Sequence, residues 1–238
     1  MERTHTAGAH APHASRDRRD GLPAAAERWL AHAVRPGSEE LRHAELLMHG
    51  EILVGRWRPF RAHQEIDAGD GFVWAATAGR GPLAIRGWDR YAEGDGAMRW
   101  TVLGVPVMRA SGEDVARSAA GRLAGETVLS PAFALDPRVR WEPGADADHA
   151  TFRLRVGSWD HEVTITVDGG GGLVAAELPR WGDPRGEGYG MHPFHVACEG
   201  GISHMGITIP QTMRAGWRDQ DGAVREFFRA TIDAATFR

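Results

Sequence analysis

"FRAHQEIDAGDGFVWAATAGRGPLAIRGWDRYAEGDGAMRWTVLG", residues 60–104, is the stretch whose period decides the fold. Its apolar side chains return at every second position, the spacing of a strand with one buried face. Phe60, Ala62, Gln64 and Ile66 share one face, with Arg61, His63 and Glu65 on the other. "AGDG" turns the chain, and Phe72 and Trp74 continue the buried face. Leu83, Ile85, Asp89 and Tyr91 follow, opposed by Arg86, Trp88 and Arg90. After "EGDG", Met98, Trp100 and Val102 oppose Arg99, Thr101 and Leu103. Short alternating runs joined by glycine-rich turns predict an antiparallel meander. "VPVMR" adds a further strand, and Pro106 places it at an edge or a bulge.

Beyond this meander the period changes to that of a helix over residues 113–129. Asp114 is placed to cap it or to sit in its first turn, where a carboxylate meets the positive helix end. Val115, Ala119 and Arg122 follow one stripe, with Ala116, Leu123 and Glu126 beside it. Small alanines allow close approach to a sheet. Arg122 and Glu126, one turn apart, emerge together at the boundary of the apolar face. Such a pair is either a solvated helix pair or two side chains holding each other at a cavity.

Upstream, "LPAAAERWLAHAV" reads as a helix stopped by Pro36-Gly37. "SEELRHAELLMHG" reads as a second, with Ser38 as its cap, Leu41, Glu45 and Met48 on one face and Gly50 at its end. Residues 1–20 are short of apolar side chains and are expected to form a loose, disordered tail; His5, His10 and His13 lie in it. Downstream, "HATFRLRVGS" alternates, and "HEVTITVDGGGGLVAAEL" reads as a wide hairpin. "RWGDPRGEGYGMHPFHVACEGG" reads as a loop, lid or rim. "ISHMGITIP", "MRAGWR" and "AVREFFRATIDAATF" read as strands, the last in competition with a helix. With no linker or repeat, the division is a tail at 1–20, N-terminal helices at 21–49 and a single domain at 50–238.

Composition excludes several chemistries. All 28 basic residues are arginine. The absence of lysine removes a Schiff-base lysine, imine-bound pyridoxal phosphate, a lysine base and a GxxxxGK[ST] phosphate loop. A formal charge of -4, with both signs interspersed, gives no basic field for nucleic acid. Cys198 is the single cysteine, so no internal disulfide forms. No stretch is apolar enough for a transmembrane segment, and the N-terminus has no apolar core of signal-peptide type, so the expected location is cytoplasmic.

The order of the pieces resembles an uncharacterised bacterial family, DUF6544 (DUF6920). "FRAHQEIDAGDGFVWAAT", "DRYAEGDGAMRWTVLGVPV", "GRLAGETVLSPAFAL" and "CEGGISHMGITIPQTMRAGWR" carry the resemblance, over residues 45–232. Gln64, Trp74, Asp89, Tyr91, Gly94, Gly96, Arg122, Glu126, Pro210 and Trp217 match its pattern. The aromatic residue of the family's "RYLAE" helix motif is missing, since the chain reads "GRLAGE". The strand–helix–strand order is similar to LolA/LolB-like lipoprotein carriers. This implies an α+β fold with a strongly curved antiparallel sheet, a half-barrel, wrapped around the central helix.

The function expected is binding of a small, largely apolar molecule in a cavity between sheet and helix. Gln64, Trp74, Trp100 and Arg122 are the candidate ligand-binding residues. The alternative is a metal-independent enzyme in the same cavity, catalysing hydrolysis, isomerisation or cyclisation of a hydrophobic metabolite, with Asp89, Glu126, Tyr91 and His204 as acid/base candidates. A protein-interaction module at an exposed strand edge is a third reading. "HPFHVACE" sets His192, His195, Cys198 and Glu199 close in sequence, followed by His204, but lacks the companions of a strong zinc motif. No metal or other cofactor is assigned, and the sequence names no protein partner. Neither G-x-S-x-G nor a phosphate loop is present; "DGGGG" at 168–172 reads as a hairpin turn.

Overall fold

The alternation at residues 60–78 is realised as two paired strands. In a computed structural model describing residues 19–238, Phe60, Ala62, Gln64 and Ile66 are buried on β2 (Arg56–Asp67). Phe72, Trp74, Ala76 and Ala78 are buried on β3 (Gly71–Ala78). Register places Gln64 opposite Trp74, and Trp74 opposite Asp89 of β4 (Ile85–Ala92). β5 (Asp95–Val102) and β6 (Val105–Ser111) complete the meander. Two-residue turns join them: Glu93-Gly94 and Leu103-Gly104 all have positive φ, the geometry whose twist suits a tight hairpin. β6 is exposed along nearly its whole length, as an edge strand carrying Pro106 should be.

α1 (Ala24–Ala33) buries Ala25, Ala26, Trp29, Leu30 and Ala33. Trp29 packs 6.0 Å from Trp141, and Trp141 packs 5.1 Å from Phe152. α2 (Glu113–Glu126) buries Val115, Ala116, Ala120, Gly121, Leu123 and Ala124. The 3-10 turns Thr127–Leu129 and Pro131–Leu135 then lead to β7 (Arg140–Pro143), β8 (His149–Val156), β9 (Trp159–Val167) and β10 (Leu173–Gly182). β11 (Gly190–Glu199), a small hairpin β12 (Ile202–His204) and β13 (Ile207–Ile209), β14 (Thr212–Arg218) and β15 (Val224–Phe237) finish the chain.

One 13-stranded antiparallel sheet forms in the order β6-β5-β4-β3-β2-β1-β15-β14-β11-β10-β9-β8-β7, where β1 is His43–Val54. The expected half-barrel is therefore corrected. Among the described residues, the strand order is that of an open sheet whose edges, β6 and β7, do not pair, accompanied by two short helices. α2 packs against β4 and β5 from one half of that order and β9 and β10 from the other. Its approach to β5 is close enough to require glycine: a Cβ on Gly96 would lie 2.5 Å from the Cα of Ala116.

The second N-terminal helix is also corrected. Residues 43–54 are β1, because Ala44, Leu46 and Met48 alternate inward and β1 is paired by both β2 and β15. Gly50 does not end a helix. A Cβ there would meet the carbonyl oxygen of Arg229 on β15 at 1.9 Å, so the strand needs glycine for close backbone approach. Ser38, expected as a cap, donates its hydroxyl to the carbonyl of Met205 at 2.8 Å. The segment read as a lid is mostly strand, with residues 183–189 alone connecting β10 to β11. Residues 224–237, read with a competing helix, are strand β15. Residues 1–18 of the tail expected at 1–20, with His5, His10 and His13, lie outside the described residues.

Candidate functional site

The site begins on α2. No side chain caps its start; Asp114 instead accepts the indole N–H of Trp181 at 2.9 Å. Two turns further on, Arg122 donates through Nε to Glu126 Oε1 at 2.6 Å and through Nη1 to Asp89 Oδ2 at 3.3 Å. Its guanidinium lies 4.5 Å over the Phe72 ring and 5.4 Å over that of Trp74. The other Asp89 oxygen accepts the Trp100 indole N–H at 2.9 Å, and Trp100 packs 5.6 Å from Trp74. The side chains of Arg122, Asp89 and Glu126 keep only 20%, 22% and 15% of their surface, so this is not a solvated helix pair.

Burial pushes the Asp89 carboxyl above the ordinary carboxylate range; Arg122, the Trp100 hydrogen bond and Arg180 oppose the shift, while Glu126 adds to it. Arg180, on β10, is a residue the sequence reading did not single out. It donates from Nε to the Ser118 carbonyl at 3.4 Å and lies 4.9 Å over Phe194 and 5.5 Å over Trp217. Burial pulls its guanidinium down to about 10, and Arg122 adds to that, against Glu126 and Asp89. It still carries its charge at neutral pH.

These groups line a cavity of about 360 Å³ between α2 and the sheet. Met48, Ile52, Leu129, Leu178, Met213 and Phe228 supply apolar wall; Gln64, Trp74, Asp89, Arg122, Glu126 and Arg180 supply polar wall. Gly121 and Gly125 of α2 also line it, so no helix side chain fills the space there. Gln64 Nε2, Trp74 Nε1 and Glu126 Oε2 are buried without a hydrogen-bond partner among the described residues, and Gln64 and Trp74 are each only 2% exposed. Buried polar groups are normally paired, so orphans gathered around one cavity mark it as a place for a polar contact. A larger groove, about 940 Å³, lies on the outward face beside Arg61, His63, Arg86, Trp88 and Arg99. It is open to solvent and does not enclose a small molecule, so the smaller cavity is the better candidate.

The structure thus brings together Gln64, Trp74, Trp100, Asp89, Arg122 and Glu126. Trp100 reaches the cluster through Asp89 and Trp74 rather than through the cavity wall. Tyr91, buried on the same strand as Asp89, and His204, exposed on β12, are outside the wall. In β11, His192 and Cys198 share one parity and His195 the other, so His195 and Cys198 do not face each other. His195 Nδ1 lies 2.8 Å from Glu177 Oε1 instead. Burial pushes the Cys198 thiol up to about 12. Among the described residues, no group of three or more His, Cys, Asp or Glu side chains is arranged to hold a metal ion.

Fold and site together define a large open antiparallel sheet with a helix-covered, mostly apolar cavity that ends in a charged cluster. The chain belongs to the family of unknown function DUF6544, whose model matches residues 12–230. No curated protein matches it. Among solved structures, it resembles a LolA superfamily protein from Nitrosomonas europaea at 11% identity, covering 91% of this chain and 94% of that chain with a TM-score of 0.45. A domain from Vibrio parahaemolyticus, provisionally described as an outer membrane lipoprotein-sorting protein, is 10% identical over 92% and 93% of the two chains, with a TM-score of 0.46. A DUF1329 family protein from Desulfovibrio piger is 11% identical over 92% and 93%, with a TM-score of 0.41. The cytoplasmic placement does not stand: it rested on the lack of apolar segments, and such an absence names no compartment. Among the described residues no helix is long and apolar enough to cross a membrane.

Proposed function

We propose that the 360 Å³ cavity binds a small, largely apolar molecule whose one polar end meets the Asp89–Arg122–Glu126–Arg180 cluster. The observation that carries this reading is the set of orphaned polar atoms, Gln64 Nε2, Trp74 Nε1 and Glu126 Oε2, on a mostly apolar wall. The volume falls within the range of about 300–1,000 Å³ usual for small-molecule sites. The neutral fluorescent probe N-phenyl-1-naphthylamine tests it. Saturable binding at one site is expected, weakened at least tenfold in Gly125→Phe, whose ring enters the cavity. No saturable binding, or equal binding by a folded Gly125→Phe, removes the proposal.

The raised carboxyl of Asp89 beside Glu126 supports a second reading, an acid/base enzyme acting without metal in the same cavity. Asp89 would give a proton and Glu126, held by Arg122, would accept one. Turnover of a bound metabolite that survives Asp89→Asn unchanged excludes it.

A further inference from the structure

The polar wall carries two carboxylates, Asp89 and Glu126, and two guanidiniums, Arg122 and Arg180, but its direct pairing and its donors are uneven. Arg122 has two carboxylates, Glu126 and Asp89, within 3.3 Å. Arg180 has none within ion-pair distance among the described residues. Its hydrogen bond is to a neutral carbonyl, that of Ser118, and its neighbours are the rings of Phe194 and Trp217. A guanidinium held among aromatic rings without a direct ion pair is costly, because its charge is desolvated and Glu126 and Asp89 offset that only from a longer range. The orphaned atoms lean the same way: Gln64 Nε2 and Trp74 Nε1 are donors, against the single acceptor Glu126 Oε2.

From this imbalance we infer that the molecule in the cavity is a monocarboxylate with an apolar chain, its head paired with Arg180. The inference rests on the binding function proposed above. An ionised carboxylate only accepts hydrogen bonds and matches the fork of a guanidinium, so one group answers the unpaired cation and the surplus donors together. A second negative charge would find no further cation lacking a direct ion pair in the wall, since Arg122 already holds two carboxylates. This disfavours a phosphate dianion. Glu126 Oε2 is left for a donor, either a water or a ligand hydroxyl. Met48, Ile52, Leu129 and Phe228 supply the surface for the chain.

Calorimetric titration with dodecanoate, methyl dodecanoate and dodecan-1-ol tests the head group at constant chain length. The unmodified protein is expected to bind dodecanoate at least tenfold more tightly than the ester or the alcohol. Arg180→Met, which keeps an unbranched apolar stem beside Gly121, should abolish that preference, so that acid, ester and alcohol bind alike. Arg180→Lys should restore part of it. Equal binding of acid, ester and alcohol by the unmodified protein overturns the carboxylate inference and leaves the cavity's binding role standing. So does an Arg180→Met protein that keeps the preference. Failure of all three to bind overturns the binding role and the inference together.

Discussion

Arg122→Met asks whether the charged cluster is desolvated. The substitution removes the 2.6 Å hydrogen bond to Glu126, the 3.3 Å contact with Asp89 and the stacking over Phe72. A solvated i,i+4 helix pair contributes about 0.3–0.5 kcal/mol. Removing one partner of a fully buried pair costs about 3–5 kcal/mol, because the other charge stays behind unpaired. With side chains 15–22% exposed, the loss should be about 2–3 kcal/mol. For a domain of this size that lowers the melting temperature by roughly 5–10 °C. Denaturant unfolding of Arg122→Met, Glu126→Gln and the double variant should give a coupling of about 1–2 kcal/mol. Arg153→Met is the internal control. Its 2.8 Å pair with Glu162 is about half exposed at both ends (53% and 49%) and should contribute less than about 0.5 kcal/mol. If Arg122→Met costs no more than Arg153→Met, the cluster is hydrated and the reasoning from desolvation fails.

Other measurements probe single groups. Gly125→Ala should stabilise the protein by about 0.5–1 kcal/mol through helix propensity, since the new Cβ meets Leu178 at an ordinary 3.5 Å; a loss of stability would show that the contact is tighter than this. Burial, aided by Arg117 and Arg180 and opposed by Asp160, pulls the His161 imidazole down from 6.5 to about 4. The folded form therefore holds it neutral: its contribution is complete above about pH 6.5 and is lost as pH falls toward 4, by about 1–3 kcal/mol for this half-buried group. Unfolding of His161→Gln between pH 7 and 4 should show a correspondingly smaller acid slope, and an unchanged slope would contradict the assignment. Cys198, buried and shifted up to about 12, should ignore Ellman's reagent at pH 8 in the native state and react fully once unfolded; rapid native reaction would show that its strand opens readily.

Local alternation made β2 and β3 legible because burial along each follows a period of two, while β4 and β5, whose burial alternates less cleanly, were legible from the glycine turn between them. Residues 41–50 defeated the same reasoning. Leu41, Glu45 and Met48 fit a helical stripe, while Ala44, Leu46 and Met48 fit a strand face. What decides between them is pairing with a segment far along the chain: Leu46 opposite Ala235, and Gly50 opposite Ala230. No local period carries that information. The same holds for the half-barrel. Alternation tells which face is buried, but the edges are set by which strands lack partners, here β6 and β7.

The site was legible where motif and parity agreed, as for Gln64, Trp74, Asp89, Arg122 and Glu126. Arg180 was missed although its signal is present: it shares strand parity with Ala176 and Leu178, which makes it a charge on an inward face. The spacing of α2 explains why these residues belong together. Gly121-Arg122 and Gly125-Glu126 repeat a glycine followed by a charge at an interval of four, so a bare stripe and a charged stripe run side by side on one helix face. The bare stripe admits the β10 side chains, with Arg180 beside Gly121 and Leu178 beside Gly125. The charged stripe reaches Asp89 on β4. Alanine at Gly125 would gain helix stability at an ordinary 3.5 Å contact, whereas at Gly121 a Cβ would press on the Arg180 stem at 3.2 Å. Glycines that leave space, next to charges that carry their own counter-ions, suit a wall whose remaining cation is kept for something else.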